Sequence, residues 1–261
     1  AMTLHLRQIA FVAARLEPVV DELCKILDLA VCFRDPELAN FGLENALLPL
    51  GTNFIEVVAP IEPNTAAERY LARRGGDGGY MLITQAESAS EQSACRTRAQ
   101  AMQIRIAWEK DHVDGHYMQL HPADTGGCFF EIDSTKSNDT INDWPPAGGT
   151  VAASHRRSNR VSTILGAELQ APDPQVLAQR WGDIAGVTPQ RCGDTNYSLG
   201  FANATLRFVP VADSRGEGLA AIDVLAVDRP AIHNAALKHA AARGDKQIEI
   251  GGVRINLVDA D

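Results

Sequence analysis

No run of about 18 apolar residues occurs in this chain, so nothing in it reads as a membrane span. Basic residues are short: 24 Lys and Arg stand against 33 Asp and Glu, giving a formal net charge of -9. That balance argues against nonspecific binding to nucleic acid or anionic membrane, since both need a cationic surface. The N-terminus lacks a basic segment followed by a long apolar core, so no signal peptide is read and a cytoplasmic location is expected. The five cysteines, Cys24, Cys32, Cys95, Cys128 and Cys192, form no CxxC pair and no zinc-finger spacing. They read as buried reduced thiols. There is no nucleophile elbow and no recognisable Ser-His-Asp order. Gly75-Gly76-Asp77-Gly78-Gly79 precedes a strand pattern rather than a helix, so it does not read as a dinucleotide loop.

What remains is an ordinary globular composition, 45% hydrophobic and 22% charged over 261 residues. That length suits one large domain or two of roughly 130 residues. Within it runs a faint fourfold echo of strand, helix, then short strands. Gln8-Ile9-Ala10-Phe11-Val12 opens the first unit and Phe54-Ile55-Glu56-Val57-Val58 closes it. Tyr80-Met81-Leu82-Ile83-Thr84 opens the second, closed by Phe129-Phe130-Glu131-Ile132-Asp133. The third ends on Leu206-Arg207-Phe208-Val209, and the fourth runs from Ala221-Ile222-Asp223-Val224 to Arg254-Ile255-Asn256-Leu257-Val258.

Local signals fill in the units. Leu16, Val19, Val20, Leu23, Ile26 and Leu27 recur at helical spacing. A second helix is expected from about Ser88 to Met102, with strands at Ile104 to Trp108 and Tyr117 to Leu120. Pro122 to Gly127 reads as the hairpin loop before Phe129. Asp173 is an N-cap with Pro174 in the first helical turn. The last helix is expected from about Arg229 to Ala242, with Gly244 as its terminator. Ser134 to Arg160, rich in Ser, Thr, Asn, Pro and Gly, reads as an interdomain linker.

Four tandem βαβββ units with these motifs resemble the vicinal oxygen chelate superfamily, which includes glyoxalase I, methylmalonyl-CoA epimerase, extradiol dioxygenases and bleomycin-resistance proteins. Leu120-His121-Pro122 leading into Gly126-Gly127-Cys128-Phe129-Phe130-Glu131-Ile132 is similar to the closing hairpin of the epimerases. The resemblance covers nearly the whole chain. It implies an α+β fold of two cupped half-barrel sheet domains, residues 2–136 and 158–261, joined by a linker at 137–157. It also implies a cleft in the N-terminal domain whose facing positions are Gln8, Glu56, Tyr80 and Glu131. The family carries a histidine where Tyr80 stands. Gln8, Glu56 and Glu131 are then the implied ligands of a divalent metal such as Zn, Ni, Mn, Mg or Fe. The matching positions of the second domain, about Gly166, Arg207 or Phe208, Ala221 and Asn256, carry no such set, so that domain reads as degenerate.

Each candidate has a plain alternative. Glu56 and Glu131 sit inside apolar strands and point opposite to their neighbours, into the cleft or onto a solvated face. Tyr80 is a hydrogen-bond donor to a substrate oxygen or a core tyrosine. Arg73 and Arg74 are a carboxylate or phosphate anchor or a solvated helix end. Trp108 lines a ligand cavity or packs in the core. His121, before Pro122, is a substrate contact or a hairpin residue. A regular hairpin pairing 121 with about 128 puts Glu131 opposite Met118, on the side of His116 rather than His121, and a bulge would reverse this. The leading expectation is a protein acting on a small oxygenated organic molecule by proton abstraction next to a carbonyl, in a lyase or isomerase, with Glu131, Glu56 and Tyr80 catalytic. The alternatives are a metal-free small-molecule binding protein of the bleomycin-resistance kind and a ring-cleaving dioxygenase. A homodimer is compatible with any of these.

Overall fold

A computed structural model describes residues 4–136, 143–151 and 155–260. The first sheet has seven strands: β1 (Leu4–Val12), β2 (Leu43–Leu50), β3 (Asn53–Pro60), β4 (Gly78–Ala86), β5 (Ile106–His112), β6 (Gly115–Leu120) and β7 (Phe129–Thr135). Their order is β2-β3-β1-β4-β7-β6-β5. A small two-stranded ribbon follows, β8 (Asp143–Trp144) and β9 (Gly149–Thr150). The second sheet contains β10 (Val161–Ala171), β11 (Gln190–Arg191), β12 (Tyr197–Gly200), β13 (Thr205–Pro210), β14 (Gly218–Ala226), β15 (Gln247–Ile250) and β16 (Val253–Asp259). It repeats the plan in the order β11-β12-β13-β10-β14-β16-β15. The fold is α+β with two mixed sheets of seven strands. The echo in the sequence has a structural cause. The opening strand of a unit pairs in parallel with its closing strand, as in β4 with β7, β10 with β13 and β14 with β16. A parallel pair needs a long crossover, which the helix supplies.

The helices are α1 (Leu16–Leu27), α2 (Ala66–Arg74), α3 (Ala89–Ala101), α4 (Pro174–Ala185) and α5 (Arg229–Lys238). All but α1 open on a side-chain cap: Thr65, Ser88, Asp173 and Asp228 each accept the amide three residues on. One expected end is corrected. Helix α5 stops at Lys238 rather than near Ala242, and Gly244 does not terminate it. The chain leaves through Ala240, in the left-handed region at φ 54°, where the Ala241 amide reaches back to the Ala236 carbonyl. An alanine thus takes the position that usually goes to glycine.

The chain divides into two compact units. One contains residues 1–8, 80–143 and 166–219. Helices α3 and α4 pack together at its centre, and the Trp181 ring stacks on Phe130 with centroids 4.1 Å apart. The Trp181 indole N–H donates to the Thr125 carbonyl at 3.1 Å, so a fully buried ring keeps its polar atom satisfied. The other unit contains residues 9–79, 144–165 and 220–261, with α1 packed on α5. The six α1 positions singled out by helical spacing are its buried residues. Within the expected linker at 137–157, residues 137–142 and 152–154 lie outside the described residues. Residues 143–151 hold the β8–β9 ribbon, with Trp144 fully buried. Of the cysteines, Cys95 and Cys128 are buried, whereas Cys192 is exposed. Burial pushes the Cys32 and Cys95 thiols up to about 11, which keeps them protonated and inert at neutral pH.

Candidate functional site

Strand β7 decides the site. Successive side chains alternate faces, so Glu131, Asp133 and Thr135 share one side and Phe130, Ile132 and Ser134 the other. The even-numbered side faces helices: Phe130 meets Trp181, and Gln92 of α3 donates its amide to the Ile132 carbonyl at 3.2 Å. Glu131 and Asp133 therefore look away from the helices. Their cross-strand neighbours on β4 are Ile83 and Gln85. On β6, Gln119 stands opposite Glu131, and the same register carries Tyr117 opposite Asp133. Beyond them, Trp108 and Lys110 of β5 pair with Gln119 and Tyr117. Trp108 and Tyr117 lie 6.4 Å apart, ring to ring, at the half-exposed rim of this patch.

Two carboxyls thus lie side by side in the interior. Glu131 is 6% exposed and Asp133 is not exposed at all. Desolvation raises both proton affinities, Asp133 well above the ordinary carboxylate range. The nearby Glu131 charge pushes Asp133 up further, while hydrogen bonds from Asp133 and Gln119 pull Glu131 back down. Two like charges this close cannot both ionise in a low dielectric. Proximity and burial thus favour the protonated form within the pair. Tyr117 is also raised, by burial first and then by Asp133 among the surrounding acids, so its phenol stays a donor.

The remaining candidates fall out as follows. Gln8 is 2% exposed on β1, within the same compact unit as Glu131. On β4 the residue in register with Glu131 is Ile83, and Tyr80, three positions earlier, packs edge-on against Phe129 at 5.0 Å. Glu56 belongs to the other unit, is 7% exposed, and accepts from the Asn45 amide at 2.7 Å. Arg73 is exposed and Arg74 buried, both on α2 of that unit. The expected hairpin register is wrong by one residue. Glu131 faces Gln119 rather than Met118, and a one-residue slip reverses every face. His116 therefore stands on the side opposite Glu131, where it pairs with Asp111 at 3.0 Å. His121 serves the hairpin, its Nδ1 taking the Ala123 amide at 3.2 Å. In the second half, two strand acids are paired, Glu168 with Arg207 at 2.6 Å and Asp223 with the Asn256 amide at 2.7 Å.

Asp133, Gln119 and Gln85 were absent from the expected site. The signal for Asp133 was present, since it follows Glu131 at the strand period. Gln119 needed the true register. Gln85 needed the parallel pairing of β4 with β7.

A divalent metal at this face would find the oxygens of Glu131 and Asp133. Among the described residues, no three or more His, Cys, Asp or Glu side chains are grouped to hold one. The slot beside Glu131 on β4 carries the aliphatic Ile83. Two cavities in the unit of residues 9–79, 144–165 and 220–261 are lined without Glu131. One, of about 310 Å³, is lined by Glu22, Asp77, His239, Arg243 and Glu249 among others. The other, about 420 Å³ and mainly apolar, includes Gly75 and Gly76. No helix among the described residues is long and apolar enough to cross a membrane.

This architecture is the vicinal oxygen chelate fold, in its form with two seven-stranded sheets on one chain. The chain is similar to the Mn(II)-bound glyoxalase from Novosphingobium aromaticivorans, with a TM-score of 0.66, 12% identity, and 99% of this chain and 83% of that one covered. It is similar to a mutant of 4-hydroxymandelate synthase from Streptomyces coelicolor, with a TM-score of 0.68 and 12% identity over 93% of this chain and 76% of that one. A hypothetical protein from Staphylococcus aureus matches at a TM-score of 0.64 and 12% identity, covering 99% of this chain and all of its own. No protein-family model and no curated protein sequence matches the chain. At such identities the likeness is one of fold, and function has to be argued from the site.

Proposed function

We propose that Glu131 and Asp133 form a metal-independent acid–base pair that abstracts a proton next to a carbonyl in a small oxygenated organic molecule. The observation that carries this reading is the buried carboxyl pair on one face of β7. A buried carboxylate of raised proton affinity is a better base than a solvated one at neutral pH. Asp133 supplies the proton that a developing enolate oxygen needs, and the phenol of Tyr117 is a second donor at the same face. Gln119 orients Glu131 from across the hairpin. The same aromatic rim, Trp108 with Tyr117, supports a second reading in which a small molecule is held without turnover.

The test is solvent deuterium incorporation, followed by proton NMR, into a panel of carbonyl compounds. Wild-type protein dialysed against chelator is compared with Glu131→Gln. Exchange faster in the wild type by about 10²-fold or more is expected, the usual worth of a positioned base. Equal rates in the two proteins would remove Glu131 as the base. Loss of exchange on chelation alone would restore a metal to the reaction. Saturable binding without exchange would favour the second reading.

A further inference from the structure

The cavity of about 310 Å³ lies wholly within the unit of residues 9–79, 144–165 and 220–261, which does not contain Glu131. Three pieces of chain build most of its wall. Helix α1 presents Pro18 and Glu22, one turn apart, with Val19 beside them. The chain leaving α5 supplies His239, Ala240, Ala241 and Arg243. The β15–β16 hairpin supplies Glu249 and the turn at Gly251 and Gly252. Asp77 completes the lining. The floor is tightly closed: a Cβ on Gly251 would meet Val19 Cγ1 at 2.8 Å, so the turn lies directly on α1.

The lining carries both signs of charge. Burial raises the proton affinity of Glu22, His239 opposes that rise and Asp77 adds to it, so these three groups act on one another. Among the described residues none donates a hydrogen bond to the Glu22 carboxylate. The Asp77 carboxylate is held by the Ala14 amide at 2.8 Å. Arg243 is fixed as well. Its Nη1 donates to the Ala240 and Ala242 carbonyls at 3.1 and 3.0 Å. Its Nη2 reaches Glu249 Oε1 at 3.5 Å, beyond the usual range of a good hydrogen bond. The guanidinium is thus anchored through one nitrogen while its fork is only loosely engaged, which suits it to receive a carboxylate.

That arrangement selects against simple ions. A lone carboxylate would share the cavity with Glu22 and Asp77, and a lone amine would share it with the Arg243 cation. A molecule carrying one charge of each sign avoids both repulsions. The volume is at the low end for ligand pockets, about 300–1,000 Å³, and so favours a small ligand. Val19, Ala240 and Ala241 offer it a narrow apolar contact. We propose that this cavity is a binding site for a small α-amino acid, its ammonium group on Glu22 and Asp77 and its carboxylate on Arg243. The site is independent of the acid pair on β7 and of any reaction there.

The experiment is a titration of the isotopically labelled full chain, followed by amide NMR shifts, with L-alanine, ethylamine and propionate at millimolar concentration. The last two are the halves of the first. L-Alanine is expected to shift the amides of Ala240, Ala241, Gly251 and Gly252 saturably, with each half binding at least about tenfold more weakly. Glu22→Gln and Arg243→Lys, both checked for folding by circular dichroism, are each expected to weaken L-alanine by about fivefold or more. Ethylamine bound as tightly as L-alanine would overturn the role of Arg243. Propionate bound as tightly would overturn the ammonium site. No saturable shift with any of the three, or an affinity unchanged in Glu22→Gln, would overturn the proposal outright. Should Arg243→Lys fail to fold, the two half-ligands and Glu22→Gln decide the question.

Discussion

Replacing Asp133 by Asn isolates the energetic consequence of burying an acid pair. An acid whose folded-state proton affinity exceeds its unfolded one binds more protons folded than unfolded. Stability then falls as pH rises from the unfolded pKa, about 3.9 for Asp, toward the folded value. This is the reverse of the usual carboxylate in an ion pair. While the pair in the native state holds one proton that the unfolded chain has released, the slope is about -1.4 kcal/mol per pH unit. Asn is nearly isosteric, carries no proton to lose, and can donate its amide to Glu131.

Urea unfolding of wild type and Asp133→Asn at pH 5, 6, 7 and 8 reads this directly. The variant is expected to show a flatter profile, with the gap between the two proteins widening in its favour as pH rises. Constant m-values would establish that native-state stability is what changed. Parallel profiles would refute the reasoning, because they would mean that Asp133 carries no extra proton in the folded protein. A variant less stable by the same amount at every pH would show that the carboxyl acts through packing alone.

Three further outcomes test the frame around the site. Trp181→Ala should cost about 3–5 kcal/mol in urea unfolding, since it removes the ring stacked on Phe130 and a satisfied indole donor; a loss under 1 kcal/mol would deny that this contact centres its unit. Gly126→Ala should lower Tm, because a Cβ there would meet Leu177 Cδ1 at 2.6 Å and the backbone sits at φ 74°; an unchanged Tm would mean that Leu177 moves aside freely. Asp124, held at about 2 by its hydrogen bonds from the Arg105 guanidinium, should titrate in its ordinary range in Arg105→Ala, as followed by NMR. The stabilising effect of that depressed acid is present above the ordinary Asp pKa and disappears as pH falls through the folded value.

The architecture was legible because it rests on patterns that survive in one strand or one helix at a time. The six apolar positions of α1, the Asp173–Pro174 start of α4 and the apolar runs ending each unit are local signals, and each element formed where they stood. The exit of α5 through Ala240 was not legible. A left-handed alanine leaves no mark in composition, whereas Gly244 does and proved irrelevant to the helix.

The site was half legible, and the reason lies in register. A match made strand by strand can find that Glu131 is a polar residue in an apolar strand. It cannot tell which residue of the next strand stands beside it, because a shift of one residue exchanges faces. Pairing β4 with β7 puts Ile83, not Tyr80, next to Glu131, and pairing β6 with β7 puts Gln119, not Met118, across from it. Those two facts give Glu131 an aliphatic neighbour on β4 and an amide across the hairpin. They also explain why Asp133 matters. In a metal site its proximity to Glu131 would be offset by the cation. Without one, a buried second carboxyl can persist only by keeping its proton, and a retained proton beside a carboxylate is what acid–base chemistry at a carbonyl requires.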